Sequence, residues 1–220
     1  MTSPSYITFD LYGTLTAFGM SRLTAELFAE RIPADGMETF LDWFEIYRTD
    51  EAMANWRPYK EVIGAALERA TRKVGVTATE EDLTTIFDSI PTWGPHPDVP
   101  EPLARIAEKF PLVILSNADD SQIMSNVDKL GAPFHAVYTA QQAQAYKPRL
   151  QAFEYMLDQL GCGPDDIMHV SSSPRYDLQS ATDLRIKNTV YVNRGYEPSA
   201  PYYHRHEVSD IAGLADLLLG

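Results

Sequence analysis

A single cysteine, Cys162, stands in 220 residues. That excludes an internal disulfide framework and any metal site built from several thiolates. It fits a chain kept in a reducing cytoplasm. The setting of Cys162 between Gly161 and Gly163, in a loop after an expected helix, marks it as structural rather than nucleophilic. Basic residues are also scarce: 18 Lys and Arg face 31 Asp and Glu, a net charge of −13. So acidic a chain argues against nucleic acid or an anionic membrane as partner, because both are held by positive charge. An anionic substrate must therefore be drawn in by a local positive site, against the overall field. No apolar run approaches the roughly 20 residues that cross a bilayer. The opening Met1-Thr2-Ser3-Pro4 has neither the basic stretch nor the apolar run of a secretory leader, so a cytoplasmic location is expected. Internal repeats and low-complexity tracts are absent.

What is present reads as an ordinary folded chain, 45% hydrophobic and 22% charged, long enough for one generous domain or a core domain with an insert. Tyr6 to Phe9 is a short apolar run that stops at Asp10, with Gly13 three residues on, and it predicts a buried parallel strand ending in a turn. Helical spacing follows over 21–32, 37–54, 59–74 and 80–90, the last with Thr79 as N-cap. Pro91, Gly94, Pro95, Pro97 and Pro100 then mark a linker. Beyond it the pattern alternates: helix 101–109, strand 112–115, helix 120–130, strand 136–138, helix 148–160, strand 167–170, helix 176–184, strand 189–192 and helix 211–219. Strands separated by helices predict a doubly wound parallel α/β sheet with right-handed crossovers. The expected division is a core of 1–15 and 98–220 and an all-helical domain of 16–97. An insert directly after the first strand overhangs its carboxyl end and becomes a cap over Asp10.

The carboxyl ends of parallel strands are where such sheets bind ligands. Four segments bring polar groups there: Asp10 and Thr14, Ser116 and Asn117, Lys147, and Ser171 to Asp177. A strand-end Asp also caps loops, Ser116 could serve as a helix N-cap, and so could Asp177. Lys147 sits just before a predicted helix, where a solvated positive charge is unfavourable, which favours a functional reading of it. His169 lies inside a strand, and His204 and His206 in a late loop. All three read as structural.

The order Asp-Leu-Tyr-Gly-Thr (10–14), Leu-Ser-Asn (115–117), Tyr-Lys-Pro (146–148) and Val-Ser-Ser (170–172) followed by Asp177 resembles the haloacid dehalogenase superfamily, over essentially the whole chain. Phosphatases of that superfamily carry a second Asp two residues after the nucleophile. Tyr12 occupies that position here, which resembles the (S)-2-haloacid dehalogenase branch.

The resemblance implies a Rossmann-like core with a helical cap, and hydrolysis of short 2-haloacids without metal or other cofactor. A halide leaves unaided, so a second acid is dispensable. Asp10 would attack carbon 2 with inversion to form an aspartyl ester, which water would hydrolyse to a 2-hydroxy acid. Lys147 would hold Asp10 and lower its pKa, and Thr14 and Ser171 would orient it. Asp177 would pair with Lys147 and help place water. Leu11, Tyr12, Phe153 and Ser173 would border the substrate; Ser116 and Asn117 would bind its carboxylate, and Asn117 the halide as well. The branch usually supplies a cap arginine to the halide; Arg48 is the candidate and Arg57 the second. Trp43, Phe44, Tyr47 and Tyr59 read as helix packing.

Three positions depart from the branch. Phe153 replaces a tyrosine six residues after the lysine, Ser173 replaces an asparagine, and Asp177 comes one residue late. The alternatives are a hydrolase opening a small strained ring such as an azetidine carboxylate, and a magnesium-dependent phosphatase. The expected partner is a short 2-halocarboxylate, with no nucleic acid and no membrane; a homodimer is compatible with the chain.

Overall fold

A computed structural model of the protein describes residues 4–220, so the leader reading at Met1 to Ser3 lies outside the described residues. The chain opens with strand β1 (Tyr6–Phe9) and continues through helices α1 (Met20–Phe28), α2 (Ala34–Ala52), α3 (Tyr59–Lys73) and α4 (Glu80–Ser89). Then come α5 (Pro100–Ala107), β2 (Leu112–Ser116), α6 (Asp120–Val127), β3 (Ala136–Thr139), α7 (Ala140–Ala143) and α8 (Leu150–Leu160). The chain closes with β4 (Ile167–Ser171), α9 (Gln179–Asp183), β5 (Asn188–Val192), β6 (His206–Val208) and α10 (Ile211–Leu219). No described helix is long and apolar enough to cross a membrane.

All strand pairings are parallel, in the order β3-β2-β1-β4-β5-β6. Chain direction across the sheet reverses beside β1, the switch point at which open sheets leave a crevice. Side chains of consecutive strand residues point to opposite faces. One face carries Ile7, Phe9, Leu112, Ile114, Met168, Val170, Val190 and Val192, packed with Leu103, Ile106, Ile123 and Leu214 from α5, α6 and α10. The other carries Val113, Leu115 and Ile167 under Phe153, Met156 and Ala181 from α8 and α9. The sheet is thus wound on both sides, as the strand–helix alternation predicts.

Two compact units divide the chain: Met1–Ala17 with Gly94–Gly220, and Phe18–Trp93. The boundaries fall inside the expected 16–97 insert because Thr16 bridges to Pro95 and the Ala17 N–H donates to Gly94 O at 2.9 Å. The second unit holds α1 to α4, with α2 packed on α3. Phe28, Phe40 and Phe44 form its aromatic centre, with ring centroids 5.0 and 6.4 Å apart. Thr79 caps α4 in a reciprocal box with Asp82, as its sequence position suggests, and Asp82 also takes a two-pronged bond from Arg31.

Helix and strand ends differ from expectation by a few residues, and three segments differ more. β6 has only three residues, with Glu207 exposed between the half-buried His206 and Val208, so it presents no apolar run; it also puts His206 in a strand rather than a loop. α7 is one turn capped by Thr139. The helix expected at 176–184 is a wider π turn, Pro174–Leu178, followed by α9.

Candidate active site

The site assembles at the carboxyl end of β1 because strand alternation places a polar column on the face beneath α8. Thr8 shares a face with Asp10, and His169 with Ser171. The ladder extends one residue past β1, with the Asp10 N–H donating to Val170 O at 3.1 Å. Gly13 turns the chain with φ +92°, a backbone conformation that favours glycine.

Lys147 is 1% exposed and spends all three ammonium hydrogens. They go to Asp10 Oδ1 at 2.8 Å, Asp177 Oδ1 at 2.7 Å and Leu115 O at 2.8 Å. The second Asp10 oxygen accepts from the Thr14 hydroxyl at 2.8 Å, and Thr14 Oγ1 in turn accepts from the Ser172 N–H at 2.8 Å. Asp177 takes further bonds from Ser171 Oγ on Oδ2 and from His169 Nε2 on Oδ1, both at 3.0 Å.

Two carboxylates share one ammonium, so their pKa values part. Burial is the largest influence on Asp10 and raises its pKa; Lys147 pulls it down without overcoming burial, and the Asp177 charge adds to the rise. Burial would raise Asp177 as well, but Lys147 and the His169 hydrogen bond hold it below its ordinary value. Burial works against the Lys147 charge, yet both carboxylates keep its pKa raised. Lys147 does lower the Asp10 pKa, as expected, but it offsets only part of the desolvation and the net shift is upward.

Asp10, Thr14, Lys147, Ser171 and Asp177 thus meet in one network, but Ser171 has a different partner from the one expected. Its hydroxyl donates to Asp177, not Asp10, and accepts from the Ser173 N–H at 3.0 Å. Asn117 clamps the Lys147 backbone, accepting its N–H at 2.7 Å and donating to its carbonyl at 2.9 Å. Its side chain is therefore engaged in placing the lysine rather than turned to substrate. Ser116 Oγ is buried with no hydrogen-bond partner in the structure, so it retains a free polar group at the strand end.

Leu11 and Phe153 are fully buried core residues, Leu11 packed with the α5/α6 side of the sheet and Phe153 with the side under α8. The Tyr12 hydroxyl donates to Asn126 Oδ1 at 2.9 Å. Ser173 Oγ donates to Glu197 at 2.7 Å and caps the π turn through the Tyr176 N–H, which uses the group that was expected to meet substrate. In the helical unit, the Arg48 guanidinium lies 5.0 and 5.1 Å from the Phe18 and Phe44 ring centres, with Nε buried and without a partner. Arg57 is ion-paired to Glu51.

Sequence reasoning missed three features. His169 is fully buried and touches Asp177, although its position opposite Thr8 in the β1–β4 register was a signal. Arg194 forms a two-pronged bond to Asp98 (2.7 and 2.9 Å) and donates to Thr14 O at 3.0 Å, bracing the loop that follows Asp10. Asp177 lies in a π turn, where the Leu178 N–H reaches back five residues to Ser173 O at 3.3 Å. A π turn is how a helix takes one extra residue without turning the next side chain away, and such turns collect at functional sites.

The fold and the order of these groups define the class. Residues 5–184 match the model of the haloacid dehalogenase-like hydrolases, and the chain belongs to that family. Among particular relatives, it is 24% identical to (S)-2-haloacid dehalogenase 4A of Burkholderia cepacia, over 96% of this chain and 93% of that one. Its fold matches the crystal structure of a dehalogenase with intermediate complex at TM-score 0.83, with 21% identity over 100% of this chain and 99% of the other. It also matches L-2-haloacid dehalogenase from Xanthobacter autotrophicus with chloropropionic acid covalently bound, at TM-score 0.80 and 18% identity over 99% of both chains. The protein is a haloacid dehalogenase-type hydrolase.

Proposed function

We propose that the protein hydrolyses short (S)-2-haloacids to 2-hydroxy acids through an ester on Asp10. The observation that carries this reading is at position 12. A buried carboxylate is held by Lys147 and Thr14, yet the residue two places on is a tyrosine whose hydroxyl is bonded to Asn126. A leaving alkoxide would need an acid there, and a halide does not.

Asp10 Oδ attacks carbon 2, the carbon–halogen bond breaks, and the halide leaves with the bonding pair. Water then adds to the Asp10 carbonyl carbon while Asp177 takes one of its protons. Collapse expels the 2-hydroxy acid oxygen, which regains a proton from Asp177. Asp10 returns as carboxylate and sheds the remaining proton to solvent. Lys147 stays charged throughout and steadies the developing oxyanion. The unpartnered Ser116 hydroxyl is the group this reading assigns to the substrate carboxylate, and Arg48 is the arginine it retains for the halide. The relatives named dehalogenases support the assignment, and N-acylneuraminate-9-phosphatase of Homo sapiens, 28% identical over 55% of this chain and 50% of its own, marks the rival chemistry.

A halide-release panel with (S)-2-chloropropionate and chloroacetate in EDTA, beside azetidine-2-carboxylate and a phosphate ester, tests the reading. Halide release that Asp10→Asn abolishes is expected. Magnesium-stimulated phosphate release without halide release, or ring opening alone, contradicts it.

A further inference from the structure

His169 has no part in the chemistry above, yet both ring nitrogens are committed in the fully buried space under the site. Nε2 lies 3.0 Å from Asp177 Oδ1, and Nδ1 lies 2.8 Å from Thr8 Oγ1. An ionised carboxylate only accepts, so the contact with Asp177 requires the hydrogen on Nε2. Nδ1 meets the Thr8 hydroxyl, which is also within reach of Met168 O at 3.3 Å. The proton on Nε2 is thus set by Asp177, whatever Nδ1 carries. The Phe153 ring meets the imidazole edge-on, with centroids 5.0 Å apart. Phenylalanine brings no donor, so α8 adds nothing to Asp177 from that side. The donors on Asp177 are Lys147, Ser171 and His169.

We propose that His169 is a positioning residue for the second half of the reaction: its Nε2–H aims Asp177 at the water that hydrolyses the ester. The inference rests on the ester reading. In the first half no proton moves, because a carboxylate displaces a halide and Asp177 is only a spectator. In the second half Asp177 must take a proton from water, which requires it ionised and turned the right way. Lys147 and His169 both bind Oδ1 and Ser171 binds Oδ2, so three donors fix the carboxylate plane. Besides Asp177, the groups facing His169 are Thr8 and Phe153, with Lys147 beyond Asp177 and Asp10 beyond Lys147.

The two halves separate kinetically. Carbon–halogen cleavage is irreversible, so kcat/KM ends with the first half while kcat includes the second. His169→Phe is expected to lower kcat roughly tenfold or more, the worth of one hydrogen bond to a charged group. It should leave kcat/KM within about twofold, and intact-protein mass spectrometry should find the ester accumulated on the chain at steady state. The acid limb of kcat should move to higher pH, since Asp177 loses a donor that favours its charged form, while the limb of kcat/KM stays. His169→Gln keeps a donor near Nε2 and should restore most of kcat.

Equal losses in kcat and kcat/KM without ester accumulation, or a glutamine variant no better than phenylalanine, overturns the proposal. Should His169→Phe fail to fold, nitrogen-15 NMR of the imidazole in the wild-type protein decides: a proton on Nε2 is expected, and an Nε2 without one overturns it. Absence of both halide release and ester in the wild-type protein would instead strike the reading of Asp10, a failure distinct from this one.

Discussion

Asp10 is a buried carboxylate kept at a cost to the fold. Its side chain is 10% exposed and its pKa is raised, chiefly by burial. A carboxyl whose folded pKa lies above its ordinary value of 3.8 destabilises the fold when ionised. The penalty grows as pH rises from 3.8 through the folded pKa and is complete above it. Asp177 works in the opposite sense: its lowered pKa contributes stability above 3.8 that is lost as pH falls through the folded value. Asp10→Asn keeps the shape and removes one of two carboxylates around a single ammonium. The variant is expected to be inactive yet more stable than wild type by about 1 kcal/mol at neutral pH. The difference should shrink as pH falls toward 3.8, as measured by denaturant unfolding across pH. A less stable variant at neutral pH would mean that the Lys147 bond outweighs burial. Lys147 was legible in the sequence because a solvated positive charge is out of keeping before a helix, whereas Asp10 and Asp177, each readable as a cap, were picked out by the order of the four motifs. Ser171, Asn117 and Phe153 were placed by analogy, and their partners were not legible, since a residue type does not say which of two neighbouring oxygens it will meet. His169 could have been read: polar residues at 8 and 169 interrupt two apolar strands in register.

Among the elements, the sheet and its helices follow from periodicity, and the connections do not. Arg194 sits after β5, Asp98 before α5 and Thr14 after β1, so their meeting is a contact between loops that no local pattern announces. The Asp98 carboxylate also accepts from the Ile211 N–H at 2.9 Å, joining the start of α10 to the same brace. Burial pushes the Asp98 pKa up, but the Arg194 ion pair and the Ile211 N–H together outweigh it and leave the value lowered. Arg194→Gln is expected to cost about 1–3 kcal/mol of stability at neutral pH and to reduce kcat/KM by releasing the Thr14 peptide. Because the depressed pKa contributes stability only above 3.8, the stability gap to wild type should narrow as pH falls below that value. A gap unchanged with pH would show that the ion pair is not its source. The π turn was likewise hidden: the sequence shows Asp177 one residue late, and only the backbone shows the turn in which it lies.

For the whole molecule, the order of elements was readable because each crossover carries its own apolar stripe. The division into Phe18–Trp93 and the rest was readable because one stretch lacks strands. The net charge of −13 has its counterpart in the site, where Asp10, Asp177 and Lys147 sum to −1 before substrate arrives. On the proposed route, esterification of Asp10 would remove one negative charge and leave Lys147 paired with Asp177, relieving the crowding of carboxylates that burial imposes. That is the physical case for a covalent route through Asp10. Its most direct test is a single turnover of excess enzyme with (S)-2-chloropropionate in water enriched in oxygen-18, followed by mass analysis of the peptide bearing Asp10 and of the lactate. The account predicts label in the Asp10 carboxylate and unlabelled lactate after the first turnover. Labelled lactate with an unlabelled Asp10 would mean that water attacks the substrate directly, and would contradict it.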